Sequence, residues 1–327
     1  MDVVVLGYRD CIGSAFLGPY DMLTMSLRML TKPGRPLPFE VVTASFNGAP
    51  FDDGNRRRQE VDKGLDSIKS CSAVIVPAYI CDGNNRLSLS IEIGAIAAWL
   101  RHQHALGAIV CASCNGVFIL GEAGLLDGRR CTTTWWRHDD LKANYPRAQV
   151  AWGASLIEEN RVVTAGGPLS WIDLSLHVIR SLCGGDAAKE AADFTVVDTT
   201  PSTQTIYVPP GHLAASNRFL LEAERVVRQA GDAPLTARQL AVALNSSERT
   251  LHRRLKETSG ETPKGFIDRV RFEITRTLLE TTAHSVKELS QTSGYSDQTS
   301  FRRAFQRYSG MTPGAYRAWI KARRGTA

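Results

Sequence analysis

The chain has 327 residues, 43% of them hydrophobic and 22% charged, with a formal net charge of +6. That composition excludes a disordered chain, a collagen and a disulfide-dense mini-protein, and the length predicts about two domains. The charge is lopsided: residues 1–211 hold 19 Lys+Arg against 22 Asp+Glu (−3), and residues 212–327 hold 20 against 11 (+9), which predicts a nucleic-acid-facing module joined to something else.

The chain opens Met1-Asp2-Val3-Val4-Val5-Leu6, with no basic leader, and reads as a buried strand rather than a signal peptide. Apolar runs at residues 3–6, 39–44, 73–77 and 108–111 are short, rich in Val and Ile, and bounded by Gly, Pro or Asp. Such runs predict parallel strands buried on both faces. Residues 19–30 and 90–103 carry helical spacing between them. Residues 156–158 and 161–164 flank Glu159-Asn160 and predict a hairpin, and residues 169–182 a further helix. Strands alternating with helices predict a doubly wound, flavodoxin-like α/β domain, whose ligands sit beyond the carboxyl ends of the strands. No run of 18 apolar residues exists, so no membrane span is expected. The seven cysteines are odd in number and scattered, which predicts reduced thiols and a cytoplasmic protein. Cys111-Ala112-Ser113-Cys114 is a CxxC motif without a second ligand pair, so no metal or cofactor is expected.

Residues 198–214, rich in Thr, Pro and Ser, predict a linker. Beyond it residues 215–322 read as helices. They contain a repeat at about 50 residues. Residues 240–251 answer 289–301, and Gly260-Glu261-Thr262-Pro263 answers Gly310-Met311-Thr312-Pro313. The offset is 49 before a turn and 50 after it. Each copy is a short helix, a turn and a longer helix. The turn holds Asn245 in one copy and Gly294 in the other, both residue types that tolerate positive φ. Leu251/Leu255 and Phe301/Phe305 are i,i+4 pairs that anchor the longer helices in a core. Arg249, His252, Arg253 and Lys256 then project elsewhere, as do Gln298, Thr299, Ser300 and Arg303. Polar residues early in the second helix are the helix-turn-helix layout, where Arg suits guanine and Gln suits adenine. A plain helical bundle with a solvated basic face is the alternative. The net charge and the duplicated unit weigh against it.

Residues 215–322 resemble the AraC/XylS DNA-binding domain. The resemblance is carried by Gly294-Tyr-Ser-Asp-Gln-Thr-Ser-Phe-Arg-Arg-Ala-Phe305 and by Gly310-Met-Thr-Pro-Gly-Ala-Tyr-Arg317. It implies two helix-turn-helix units joined by a long helix over residues 263–280, both reading one side of double-stranded promoter DNA. By position it makes Arg249, His252 and Arg253 the base readers of the first unit, and Gln298, Thr299, Ser300 and Arg303 those of the second. It further implies RNA polymerase as a partner and, most often, activation.

In the first domain a buried strand runs into Ala112-Ser113-Cys114-Asn115-Gly116 and then an apolar helix, the layout of a nucleophile elbow. Cys114 would sit at a helix N-terminus, where the dipole favours a thiolate. With Gly18-Pro19-Tyr20-Asp21 and Ala123-Gly-Leu-Leu-Asp-Gly-Arg-Arg130, residues 1–182 resemble the class I glutamine amidotransferase-like (PfpI-like) domain. They are most like the version fused to AraC-type domains in GlxA-type regulators. PfpI-like enzymes usually add a His after the elbow, and many have an acidic residue near the first loop. Aligned here, the acidic position holds Ala15 and the His position holds Thr134, with His138 four residues on as the substitute in a shifted alignment. Those losses favour binding over turnover, so no catalytic residue is expected.

The expected receptor comprises Cys114, the backbone N–H groups of Asn115 and Gly116, and Trp135 and Trp136, core packing being the competing reading of both tryptophans. A helix N-terminus attracts a carboxylate and aromatic faces attract a cation, so an amino acid or quaternary amine acid is the expected small-molecule effector. The alternatives are a PfpI-like cysteine enzyme (hydratase, deglycase or amidase) on a DNA-binding tail, and a redox sensor through Cys111 and Cys114. A homodimer with four recognition helices is expected. Arg56-Arg57-Arg58 reads as a solvated loop or a contact to phosphate or carboxylate. The expected domain limits are 1–197, 198–214 and 215–327.

Overall fold

The structure, a computed structural model, describes residues 2–30, 38–80, 91–198, 203–209, 211–212, 217–231, 233, 235–293, 295 and 297–324. The chain divides into two units, Met1–Gln204 and Thr205–Ala327. The boundary falls inside the stretch whose composition predicts a linker. Gly294 and Cys81 lie outside the described residues.

The first unit begins with β1 (Asp2–Leu6), α1 (Gly13–Leu30), β2 (Glu40–Ser45), β3 (Phe51–Asp52), β4 (Arg58–Gln59), β5 (Lys63–Gly64) and β6 (Ala73–Val76). There follow α2 (Ile91–Ala105), β7 (Ile109–Ser113), α3 (Val117–Glu122), β8 (Arg130–Cys131), α4 (His138–Asn144) and β9 (Gln149–Val150). It closes with β10 (Leu156–Glu159), β11 (Val162–Ala165), α5 (Trp171–Cys183) and α6 (Gly185–Thr195). Seven strands form one sheet in the order β10-β11-β7-β6-β1-β2-β5. Within that sheet, among the described residues, only β10 and β11 pair antiparallel; every other neighbour is parallel. Val3, Val4, Val5 and Leu6 are wholly buried, as are all four residues of β6. A strand covered on both faces needs such a continuous apolar run. Side chains of α1, α5 and α6 fill one face of the sheet, and those of α2 and α3 the other.

Three features differ from the sequence expectation. α1 starts at Gly13, not at Pro19, and Pro19 sits inside it, because Ala15 and Phe16 are buried in the core and extend the helix backwards. The hairpin turns one residue later than expected, on Asn160 (φ 51°) and Arg161 (φ 59°). Two consecutive positive φ values are the type I′ geometry that matches strand twist. α6 had no counterpart in the expectation. Its stripe is Ala188, Ala191 and Ala192, small residues that let it lie close to its neighbours without a strong apolar signal. Arg56, Arg57 and Arg58 are exposed on the β3–β4 hairpin, whose turn is tied by the Asp53 carboxylate accepting from the N–H groups of Asn55 (2.8 Å) and Arg57 (2.9 Å).

The second unit is helical: α7 (Arg218–Ala230), α8 (Ala237–Ala243), α9 (Glu248–Ser259), α10 (Pro263–Thr281), α11 (Val286–Thr292), α12 (Gln298–Ser309) and α13 (Pro313–Arg324). α10 is its spine. Phe266, Ile267 and Val270 in its first half pack with Leu240, Leu251 and Leu255. Phe272 and Leu279 in its second half pack with Leu289, Phe301, Phe305 and Tyr316. The repeat is written in the caps as well as the core. Thr236 with Gln239 and Ser285 with Glu288 form capping boxes at the starts of α8 and α11. Ser247 and Asp297 cap α9 and α12 by accepting the N–H of Thr250 and Ser300. Gly260 and Gly310 end those helices at φ 74° and 72°. Each cap stabilises its helix by roughly 0.5–2 kcal/mol and fixes its start.

Candidate nucleic-acid interface and candidate ligand site

α8, a turn containing Asn245 (φ 50°) and α9 form the first helix-turn-helix; α11 and α12 form the second. Leu251, Leu255, Phe301 and Phe305 are buried, which turns the opposite faces of α9 and α12 outward. Arg249, His252 and Arg253 are exposed and line a shallow groove with Lys256 and Glu257. Thr299, Ser300 and Arg303 are exposed on α12 and Gln298 is half-buried at its first turn. Arg253 pairs with Glu257 at 3.4 Å in an exposed i,i+4 bridge, a contact worth little and easily exchanged for DNA. Arg254 faces elsewhere and lies over the Phe219 ring at 3.8 Å. Two residues outside the expected reader set are exposed on the same two helices. Lys256 lines the groove, with Nζ donating to the Gly260 carbonyl at 3.0 Å. Arg302, exposed on α12, answers His252 at the 50-residue offset, a signal the repeat already contained.

In the first unit, Cys114 follows β7 directly and takes φ 53°, in the left-handed region. A non-glycine residue rarely adopts it without a constraint from its surroundings. Gly116 supplies part of that constraint: a Cβ there would lie 2.3 Å from the Pro77 carbonyl oxygen, so only glycine lets α3 start so close to the end of β6. Asn115 is committed to the same neighbour loop. Its Nδ2 donates to the Tyr79 carbonyl at 2.8 Å and its Oδ1 accepts the Tyr79 N–H at 2.9 Å. Thr133 Oγ1 donates to the Cys114 carbonyl at 2.6 Å, which binds residues 132–134 to the elbow.

The two tryptophans of the expected aromatic wall stay together. Trp135 is half-buried and its N–H donates to Gln204 Oε1 at 3.0 Å. Trp136 is 47% exposed, edge-on to Trp135 at 5.1 Å. Ala15 and Thr134 are wholly buried. His138 is buried at the start of α4, its Nδ1 2.9 Å from Asp139 Oδ1 and its ring edge-on to Trp152. Arg137, not anticipated from the sequence, is buried with Nε 2.7 Å from Asp140 and its guanidinium 4.6 Å from the Phe118 ring centre. Cys111 is packed in the core beside α5, and burial pushes its thiol far above the ordinary range. Among the described residues no group of three or more His, Cys, Asp or Glu is assembled to hold a metal, and no helix is long and apolar enough to cross a membrane.

An α/β domain with an elbow, followed by a basic double helix-turn-helix, defines a DNA-binding transcriptional regulator. Residues 20–181 match the DJ-1/PfpI family and residues 240–318 a helix-turn-helix domain family. The chain is 30% identical over 277 residues to the HTH-type transcriptional regulator CdhR of Pseudomonas aeruginosa, covering 84% of this chain and 80% of that one. It is 27% identical over 293 residues to the HTH-type transcriptional regulator GlxA of Rhizobium meliloti, covering 87% and 86%. The crystal structure of an AraC family transcriptional regulator from Pseudomonas putida shares the fold of the first unit. Its TM-score is 0.50 at 18% identity, over 59% of this chain and 98% of that chain. The chain therefore belongs to the HTH-type transcriptional regulators that carry a DJ-1/PfpI domain ahead of an AraC-type helix-turn-helix domain, the family of CdhR and GlxA.

Proposed function

We propose that the first unit senses a small metabolite, an amino acid or quaternary amine acid, and binds it without turnover. In this reading the protein works in the cytoplasm as a homodimeric activator that brings RNA polymerase to promoter DNA. Residues 1–197 are the sensing domain, 198–214 the linker and 215–327 the DNA-binding domain. Arg249, His252, Arg253, Gln298, Thr299, Ser300 and Arg303 read bases. The observation that carries the reading is the elbow at Cys114, held at φ 53° at the carboxyl end of a central parallel strand, where ligands of doubly wound folds sit. By the resemblance, Ala15 and Thr134 stand where related enzymes place an acid and a His, and neither supplies a carboxylate or imidazole poised to act as general acid or base. Ser113 Oγ and Thr134 Oγ1 are buried with no hydrogen-bond partner among the described residues. Such a group costs about 1–3 kcal/mol while unsatisfied, so a polar ligand gains by reaching it. A thermal-shift screen of amino acids and betaines on the full chain tests this. A ligand at 100 times its Kd adds about 2.7 kcal/mol; a library that produces no shift overturns the reading.

The strained elbow also favours a second reading, a Cys114 thiol enzyme. Burial raises the thiols of Cys11, Cys71 and Cys131 to about 12, and that of Cys111 further. These four should therefore alkylate slowly at neutral pH. Rapid, selective modification of Cys114 by iodoacetamide would support the enzyme; labelling as slow as that of these four thiols supports the receptor.

A further inference from the structure

The junction between the two units is anchored on both sides, and the anchors are adjacent residues. In the first unit Gln204 is buried and its side-chain amide is spent on the backbone around the elbow. Nε2 donates to the carbonyls of Thr133 (2.9 Å) and Ala154 (2.7 Å), and Oε1 accepts the Trp135 N–H (3.0 Å). The Gln204 N–H and the Thr203 hydroxyl both donate to the Gly153 carbonyl at 2.9 Å. A Cβ on Gly166 would lie 2.0 Å from the Gln204 amide nitrogen, so the cradle requires glycine. Thr133, which receives Gln204 on its carbonyl, holds the Cys114 carbonyl with its hydroxyl.

In the second unit the next residues are built into the second helix-turn-helix. The Thr205 hydroxyl donates to the Tyr308 carbonyl at the end of α12. Arg276, buried on α10, donates to the carbonyls of Thr205 (2.8 Å) and Val208 (2.7 Å). Ile206 is buried in the core formed by Phe272, Leu289, Phe301, Phe305 and Tyr316. Among the described residues, the core of the first helix-turn-helix contains none from this segment.

We propose that residues 203–208 are a coupling strap by which the state of the elbow acts on the second recognition helix, α12, and not on the first, α9. The sensing reading supplies the trigger, and the strap can be tested without it. Consecutive Cα atoms lie about 3.8 Å apart across a trans peptide, so no slack separates Gln204 from Thr205. A close-packed core does not absorb a displaced side chain silently. While the Gln204 cradle holds, a shift in residues 132–134 therefore moves Ile206 beneath Phe301 and Phe305, and a broken cradle releases the same segment from its first-unit restraint.

The test is hydrogen exchange on the full chain carrying Gln204→Glu, which keeps the side-chain volume and removes both donated bonds. Gln204→Ala, which buries no charge, gives the same readout where the glutamate variant does not fold. The expected result is exchange accelerated by about tenfold in residues 286–309, the scale of one lost side-chain hydrogen bond, with residues 237–259 unchanged. A flexible Gly-Ser-Gly-Ser insertion between Gln204 and Thr205 should abolish that response while leaving both anchors in place. Unchanged exchange in residues 286–309, equal acceleration of both helix pairs, or a response that survives the insertion would each overturn the strap. Failure of the ligand screen removes the sensing reading and leaves this result standing, so the two failures are distinguishable.

Discussion

Replacing Arg269 with methionine should destabilise the second unit by about 3–5 kcal/mol, the usual consequence of removing one partner from a buried charge cluster. Arg269 is almost wholly buried on α10. Its Nε lies 3.1 Å from both Glu261 oxygens, and its Nη1 lies 2.7 Å from Glu273 and 3.3 Å from Glu224. Arg228 is the second cation, 2.7 Å from Glu273 and 3.3 Å from Glu224. Burial alone would lower the Arg269 pKa, but Glu261, Glu273 and Glu224 more than reverse it and the group is raised. Burial pushes the Glu261 carboxyl up, further than Arg269 pulls it down. Methionine fills most of the arginine volume, so the loss is one of charge pairing and not of a cavity.

The penalty carries a pH signature. Without Arg269 the Glu261 pKa climbs further above its unfolded value of about 4.3. A carboxyl whose folded pKa is raised binds protons preferentially in the folded state, so stability grows as pH falls through the folded pKa. The deficit of the variant should therefore be larger at pH 8 than at pH 5. Exchange of the α10 amides, corrected for intrinsic rates, reads it as an acceleration of about two to four decades. A pH-independent deficit would show that the cluster contributes packing alone. Glu261 directly follows Gly260, the residue that ends α9.

What the sequence disclosed follows from how burial writes itself. Residues 3–6 and 73–76 are covered on both faces, so their apolar runs are continuous and legible. Leu251/Leu255 and Phe301/Phe305 recur with their caps, so the second unit was legible twice over. α6 was not, because an alanine stripe packs well while carrying little hydrophobic signal. β3, β4, β5, β8 and β9 are two residues long, too short for any periodicity. Gln204 was invisible for another reason. It stands in a Thr-, Pro- and Ser-rich stretch that reads as spacer, and its partners are carbonyls 50 and 71 residues away. Ile206 and Val208 beside it are too few to change the composition, yet both are buried. The elbow was legible as a string, but its strain was not: nothing in Cys114-Asn115-Gly116 states that the turn is pinned by Pro77, Tyr79 and Thr133.

Arg253→Ala with Arg303→Ala should weaken specific DNA binding by about 2–6 kcal/mol, roughly 30-fold to more than 10⁴-fold in Kd. The two residues occupy the same place in the two copies, separated by the 50-residue offset, and both are exposed. Their helices rest on separate cores, so their losses should add. The double variant also separates base reading from simple attraction. A side chain that only neutralises phosphate weakens all DNA alike and removes about 0.9 from the log–log salt slope. A base reader lowers the ratio of specific to non-specific binding and relaxes preference at its own base pair. Lys256 gives the contrast: it lines the α9 groove and holds the Gly260 carbonyl, so Lys256→Ala should act on the slope and leave the ratio near that of the parent chain. Titrations of the regulator's own upstream DNA and of a scrambled duplex, each at two salt concentrations, measure both quantities. If the double variant loses affinity equally for both duplexes, Arg253 and Arg303 contact phosphate, and the reading of sequence falls to Gln298, Arg249 and their neighbours on the first turns of the same helices.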